Sequence, residues 1–416
     1  MAAPGNASLQ WNKPGYASPG YNPPMKFDLI IIGGGLVGMG LALALKDSDL
    51  RVALAEPRPP VSVPTDTSGD SSWDSRIYAI SPGSAVFLEG LGVWRALDAT
   101  RVTPVYEMAI FGDDNATHLD FSAYDSGLPE LAFIVENRQL QAAMWNALKQ
   151  QKNVKIFCPA QCASITWDEA HAKLHLADDK VLQAALIVGA DGLDSWVREQ
   201  AGIEVTQRPY QQTGVVANFS VEQSHRNIAH QWFQQDGVLA LLPLPDKRVS
   251  MVWSANEEKA NALLALPAAE LCQQVAEASG HALGKLQLVT QPAAFPLHFV
   301  RVKKLVQPRL ALIGDAAHGI HPLAGQGVNL GLRDAHELAA TLISRDPQPD
   351  CGDYMLLRRY ERARKEDILA MQLATDGLQK LFNNTNPVLA RLRNTGLGIT
   401  NRLPKIKSRL MQHALA

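Results

Sequence analysis

A chain of 416 residues is long enough for two domains or one elaborate one, and its 46% hydrophobic and 19% charged residues are ordinary for a globular protein. The formal net charge of −2 lacks the basic excess of a nucleic-acid binder. Four scattered cysteines, Cys158, Cys162, Cys272 and Cys351, have no second pair or histidine cluster to complete a metal site and read as reduced thiols of a cytosolic protein.

Residues 1–24 are dominated by Pro, Gly, Asn, Ser and Tyr and read as a disordered extension, with Met25 as the start of the fold. No basic segment followed by an apolar core marks a signal peptide there. The uncharged run Leu29 to Leu45 is slightly short of the roughly 20 residues that span a membrane, and it is interrupted by five glycines. A strand, a glycine turn and a helix account for it: Phe27 to Ile32 as a buried parallel strand, Leu36 to Leu45 as the helix, and Arg51 to Ala55 as the next strand. In this βαβ unit Gly33 permits the tight turn, Gly35 lets a pyrophosphate approach the backbone, and Gly38 lets helix and strand pack closely. The free N–H groups of the helix N-terminus face the phosphates. Glu56, about twenty residues on, can accept hydrogen bonds from a ribose. The motif by itself does not separate FAD from NAD.

Pro57 to Ser72 is a polar loop; Ser81 to Leu97, with Leu88, Leu91 and Trp94 on one face, predicts a helix, as does Glu136 to Leu148. Leu186 to Gly189 is a strand feeding Ala190-Asp191-Gly192, and Trp196 opens another helix. Between about 205 and 295, runs such as Gly214–Phe219, Val238–Leu242 and Val249–Trp253 predict an antiparallel sheet. Arg309 to Ile313 is again an apolar strand. It leads into Gly314-Asp315-Ala316-Ala317-His318 and on to Pro322-Leu323-Ala324-Gly325-Gln326-Gly327-Val328-Asn329. Residues from about 354 onward read as helical.

With these residues assembled, the chain resembles the class A flavoprotein monooxygenases of the para-hydroxybenzoate hydroxylase fold. Within them it is most similar to the ubiquinone-biosynthesis aromatic-ring hydroxylases. Three fingerprints occur in order: Gly33-x-Gly35-x-x-Gly38, Ala190-Asp191-Gly192-Leu193-Asp194-Ser195-Trp196-Val197-Arg198, and Gly314-Asp315. Stretches of the narrower family also match, among them Asp74 to Ser81, Val135 to Leu140, Asp236 to Leu244 and His321 to Asn329. The resemblance covers residues 25–416.

The resemblance implies an α/β fold. Its discontinuous Rossmann-like FAD-binding domain would take residues 25–100, 136–204 and 296–350, and its substrate-binding antiparallel sheet 101–135 and 205–295. A helical C-terminal region would occupy 351–416. It implies that Asp315 hydrogen-bonds a ribityl hydroxyl of FAD, and that the loop Pro322, Gly325, Gln326, Gly327, Val328 and Asn329 runs along the flavin ring. Arg76 and Arg138 would contact the cofactor, Arg138 suiting a phosphate, and Asp191 would serve FAD packing and pyridine-nucleotide contact. Each of these last three also has a purely structural reading, as a surface ion pair or an Asp-Gly turn. The implied reaction is hydroxylation of a polyprenylated phenol by NAD(P)H, O2 and FAD through a C4a-hydroperoxide, with no catalytic side chain nominated and no metal.

A second G-x-G-x-x-G, the C-x4-C of disulfide reductases and the W-x-W-x-I-P of flavin halogenases are all missing from the sequence. The alternatives left open are hydroxylation of another small aromatic and a non-catalytic flavin-binding subunit among other quinone-biosynthesis proteins. No acidic residue follows Asp376, whereas Lys380, Arg391, Arg393, Arg402, Lys405, Lys407 and Arg409 are basic, with leucines and isoleucines between them. That tail can rest peripherally on the inner membrane or pack on the flavin domain with a solvated basic face. Trp232, Phe233, Leu239 and Leu241 are candidates for the substrate pocket or for plain core.

Overall fold

The computed structural model describes residues 23–61, 73–112, 118–234, 237–321, 325–346 and 350–382. The expected N-terminal extension up to residue 22, the loop residue Pro322, and the basic tail beyond residue 382 lie outside the described residues.

Four-residue runs of Leu, Ile, Val and Ala, buried on both faces, build a parallel sheet, because only strands covered on both sides can be apolar throughout. In chain order the elements around it are β1 (Leu29–Ile32), α1 (Leu36–Ala44), β2 (Val52–Ala55), α2 (Asn137–Gln150), β3 (Val154–Phe157), β4 (Leu186–Gly189), β5 (Leu310–Leu312), α3 (Gln326–Ile343) and α4 (Tyr354–Phe382). Across the sheet the order is Val306–Gln307, β5, β4, β1, β2, β3, and only the first strand runs antiparallel. Main-chain bonds carry the ladder past the strand ends: Gly33 N to Ala55 O at 2.9 Å, Ala190 N to Ile32 O at 2.8 Å, and Ile313 N to Gly189 O at 3.0 Å. The turns after β1, β2, β4 and β5 therefore emerge side by side at one edge, the edge where open α/β sheets take their ligands.

A second sheet of nine strands runs His318–Gly319, Ala293–Val302, Val205–Val221, Arg248–Asn256, Gly237–Leu244, Ile228–Gln234, Glu107–Phe111, His118–Ser122, with Leu286–Leu288 added on Val205–Val221. The strand Ala293–Val302 straddles the boundary expected at 296; its pairing with Val205–Val221 keeps it in this sheet. Two small sheets complete the fold, one joining Ile77–Ile80, Ala132–Glu136 and Thr103–Val105, the other built around Ala172–Leu176.

The two faces of the nine-stranded sheet differ. Val215, Ala217, Phe219, Trp232, Leu239, Leu241, Met251 and Trp253 form one core with Leu263, Leu271 and Val275 of the helices Glu257–Ala265 and Ala268–Ala278. Three of the four pocket candidates, Trp232, Leu239 and Leu241, are therefore core on this face. By the two-residue repeat Phe233 projects to the other face, which also carries the buried polar residues Gln212, Asn218, Gln231, Ser250 and Ser254. Asn218 Nδ2 reaches across to Asp74 O at 2.8 Å, so the polar face abuts the segment that leads to Arg76.

The helix expected over Ser81 to Leu97 is shorter. It runs Pro82–Gly90, capped by Ser81, and gives way at Gly92, in a left-handed conformation (φ 78°), to the separate turn Trp94–Ala96.

Gly38 on α1 tests the packing directly. A Cβ there would lie 2.0 Å from the Gly33 carbonyl oxygen, a backbone atom, whereas a Cβ on Gly90 meets nothing within 4 Å. Gly38→Ala is expected to lower stability by about 2 kcal/mol or more in denaturant unfolding, and Gly90→Ala to leave it unchanged or raise it by up to about 1 kcal/mol. Equal stability of the two variants would contradict this packing.

Candidate active site

The first glycine turn is held against the β4 loop. Gly33 has φ 110°, and a Cβ there would sit 2.3 Å from Ala190 O, so only glycine fits. Glu56 closes the turn from β2: its Oε2 accepts Gly34 N at 2.6 Å and its Oε1 accepts Arg58 N at 3.1 Å. Gly35 caps α1 without any side-chain hydrogen bond, and nothing lies within 4 Å of where its Cβ would be. The start of α1 is thus free of a side-chain cap and open beside Gly35, as an anion-binding helix end requires.

Val37, in the first turn of α1, is the meeting point of the two halves of the sequence. A Cβ on Gly314 would lie 3.2 Å from the Val37 side chain, and one on Gly331 of α3 only 2.5 Å away. Their lack of side chains is what lets the β5 turn and α3 close onto the first glycine motif. On the far side of the turn Asp315 combines two properties. Its side chain is accessible to solvent, yet dense surrounding protein raises its pKa, with His318 and Arg76 pulling the other way. A carboxylate that is reachable yet hemmed in by protein is placed to accept from ligand hydroxyls in place of water.

The two arginines expected at the cofactor, Arg76 and Arg138, share one anchor. Asp74 accepts the backbone N–H of Arg76 at 3.0 Å and of Arg138 at 2.9 Å, and the Arg138 guanidinium lies 4.0 Å from its carboxylate. Arg76 is exposed and extends over the Tyr78 ring at 5.5 Å, while Arg138 is half-buried. Behind Asp74, Glu136 accepts Asp74 N at 2.7 Å and is gripped by Arg101 at 2.7 and 2.8 Å, with the Arg101 guanidinium 3.9 Å above Trp73. Arg101 and Glu136 escape sequence reasoning as a pair, since nothing in local pattern joins residues 35 apart.

Asp191 is committed to its own turn. Oδ1 accepts Ser195 Oγ at 2.6 Å and Oδ2 accepts Val197 N at 3.0 Å, which caps the helix Trp196–Gln200. Arg198 then donates to Leu193 O at 2.8 Å and to Ala316 O at 2.9 Å, tying this loop to the Gly314–Ala316 turn. The geometry here is that of a structural clamp.

Gly325 caps α3 in the left-handed region (φ 65°), again with no side-chain bond at the helix start. Gly327 has open space at its Cβ position, and the Gln326 Oε1 atom is buried without a partner among the described residues. Val328 packs against the main core. Asn329 faces inward instead, accepting Ser81 N at 3.0 Å and donating to Ala79 O at 2.9 Å, so it pins the strand Ile77–Ile80 to α3. An uncapped helix end and two glycines fit the carbonyl edge of a flavin, where negative charge collects on reduction, and the orphaned amide oxygen can accept the ring N–H that lies between those carbonyls.

Below the turn sits a network the sequence did not announce. Asp334 of α3 is fully buried; Oδ2 accepts Gly314 N at 2.9 Å and lies 2.5 Å from His318 Nε2, while Oδ1 accepts Arg364 Nε of α4 at 2.7 Å. Burial alone would raise the Asp334 pKa, but His318 and Arg364 outweigh it and hold the carboxylate below its usual range. The available signal was an acid between Leu330 and Leu338 on a helical stripe that is otherwise apolar. His318 is thus a structural partner. His321 is separate, with Nε2 2.9 Å from Gln212 Oε1 on the large sheet.

Two substitutions separate cofactor binding from support. Asp315→Ala should retain the fold but weaken FAD about five- to 150-fold in fluorescence titration of the apoprotein, since it leaves ligand hydroxyls unpaired. Asp334→Asn should instead cost about 3–5 kcal/mol of stability, because it leaves the Arg364 guanidinium buried without its countercharge. A depressed carboxylate contributes stability that is complete above the unfolded pKa near 3.9 and drains away as pH falls through the folded value. That acid-side loss should be absent from the Asn variant's unfolding profile, and an identical profile in both proteins would contradict it.

Comparison with known proteins agrees with this geometry. The chain matches the family described as FAD binding domain over residues 26–372. It is 37% identical over 394 residues to the 3-demethoxyubiquinol 3-hydroxylase of Escherichia coli (strain K12), covering 93% of this chain and 98% of that one. It is 34% identical over 389 residues to the ubiquinone hydroxylase UbiL of Rhodospirillum rubrum, covering 93% and 89%. Among solved structures, PqsL, a probable FAD-dependent monooxygenase from Pseudomonas aeruginosa, superposes with a TM-score of 0.74 at 21% identity over 89% of this chain and 99% of that one, a likeness of fold. The chain belongs to the FAD-dependent aromatic-ring monooxygenases, within the family of ubiquinone-biosynthesis hydroxylases.

Proposed function

We propose that this protein hydroxylates the aromatic ring of a polyprenylated phenol on the way to ubiquinone, using O2 and NAD(P)H. The observation that carries the reading is the meeting of the two glycine-bearing turns through Val37, with the polar face of the large sheet beside them. The chain's own work is then binding, orientation and exclusion of water. The α1 N-terminus takes the pyrophosphate, Arg138 stands by as a phosphate partner, and Glu56 can turn its carboxylate to the ribose beside Gly34. Asp315 holds the ribityl chain, and the α3 N-terminus aims its positive end at the flavin's carbonyl edge. FAD bound in this way supplies the electron transfer and the oxygen activation. The sheet face walls the reaction off from solvent, so that reactive oxygen meets the ring rather than water.

No helix among the described residues is long and apolar enough to cross a membrane. A polyprenyl substrate resides in lipid, so the reading adds supply by peripheral contact with the inner membrane or by other quinone-biosynthesis proteins.

The test is genetic and chemical. A strain lacking the protein should accumulate a precursor one ring hydroxyl short, identified by mass spectrometry of extracted quinone intermediates. The wild-type gene should restore the quinone and the Asp315→Ala gene should restore it poorly. Normal quinone without an accumulated precursor, in a strain with no paralogue, would overturn the assignment.

A further inference from the structure

The strand Val205–Val221 breaks its register against Ala293–Val302 between Pro209 and Thr213, where three residues have no partner on that strand. Gln211, at the centre of this bulge, has φ 55°, a left-handed conformation costly for a residue with a side chain. Bulges of this kind re-aim side chains, and this one turns Tyr210 and Gln212 inward onto His321. Tyr210, Gln212 and His321 are 6%, 6% and 0% exposed. The Tyr210 and His321 rings meet edge to face with centroids 4.9 Å apart.

This buried contact is chemically incomplete. Because Gln212 presents its carbonyl oxygen to His321 Nε2 at 2.9 Å, that nitrogen carries the proton, and Nδ1 is left as a bare acceptor. Nδ1 has no hydrogen-bond partner among the described residues; the Tyr210 hydroxyl donates to none of them, while the His321 backbone N–H faces its oxygen closely enough to lower its pKa. Burial pushes the His321 pKa down to about 4, although Asp376 opposes it. Burial also pushes the Tyr210 pKa up to about 12. Both groups therefore keep their roles, one acceptor and one hydroxyl, across the ordinary pH range. His321 stands at the start of the segment that leads to Gly325 and the N-terminus of α3, so the incomplete pair borders the site assigned to the flavin ring.

We propose that His321 Nδ1 and the Tyr210 hydroxyl, aligned by Gln212, form the subsite for the substrate's ring hydroxyl and select a phenol over its ether or quinone form. A phenolic O–H donates one hydrogen bond and accepts another, so it completes both groups at once. An ether or quinone oxygen only accepts and leaves Nδ1 buried and unpaired, at a penalty of roughly tenfold to hundredfold in affinity. Selection at this point admits the electron-rich phenol and turns away oxidised rings that cannot be hydroxylated in this way. The inference rests on the reading of the substrate as a phenol, and names the residues that recognise it.

The experiment uses the FAD-loaded enzyme and reads the flavin absorbance change on titration with three short-chain prenylated probes: a phenol, its methyl ether and the corresponding benzoquinone. The wild type should bind the phenol roughly tenfold to hundredfold more tightly than the other two. Tyr210→Phe and, separately, Gln212→Leu should bring the three affinities together, with FAD content reporting that each variant is folded. A phenol preference that survives in the folded variants overturns the proposal. So does a wild type that binds all three probes equally, since a buried water would then complete the pair. A wild type that binds none of them refutes the substrate reading itself, and the subsite with it.

Discussion

One buried carboxylate organises this molecule. Asp334 faces no water, and its two oxygens are shared among the main chain of the β5 turn, an imidazole and a guanidinium from the last described helix. A charge without water must be met by partners or neutralised, so α3, α4 and the Gly314 turn can pack in only one relation. That relation fixes where Asp315 stands and where the α3 N-terminus points. Fold and site are coupled through electrostatics here more than through apolar contact.

Two further constraints act on the same cleft from other sides. Glycine at Gly33, Gly38, Gly314 and Gly331 removes bulk where backbone must meet backbone or the Val37 side chain. The Arg101–Glu136–Asp74 chain fixes the backbone of both arginines from beneath, leaving their guanidinium groups free of that duty. Cationic ends on a backbone held by other groups suit a phosphate-bearing ligand, which is held by charge after the frame is set.

The sequence was most legible where backbone geometry demands one residue type. Gly33 and Gly38 could be assigned because a tight turn and a close contact between helix and turn each forbid a side chain, whereas Gly35, expected to admit a phosphate, has open space beside it. The apolar strands β1, β2, β4 and β5 could be read because a doubly covered strand has no polar positions. Pairings between distant side chains were invisible: neither Asp334–Arg364 nor Glu136–Arg101 leaves a local pattern. The large sheet misled in a different way. Its strands mix apolar and polar residues, and the ones that stand out, Trp232, Leu239 and Leu241, belong to the helix-covered face. The informative residues on the other face are small or polar, such as Gln212, Asn218 and Ser250, and their burial shows only once the strands are paired.

The contact of Val37 with Gly314 and Gly331 joins residues almost three hundred positions apart, and β1 lies in the middle of its sheet between β2 and β4. Emerging from the ribosome, the first glycine turn would wait for most of the chain before its partner arrives, with β4 exposing an edge until β5 docks. Long sequence separation makes such closure slow, since chain entropy is lost before the contact repays it. A dinucleotide that touches both turns would bind only after closure, and would trap the closed state by mass action. For this architecture the cofactor is also a late clasp, and supply of the vitamin from which it is made bears on how much chain reaches the native state at all.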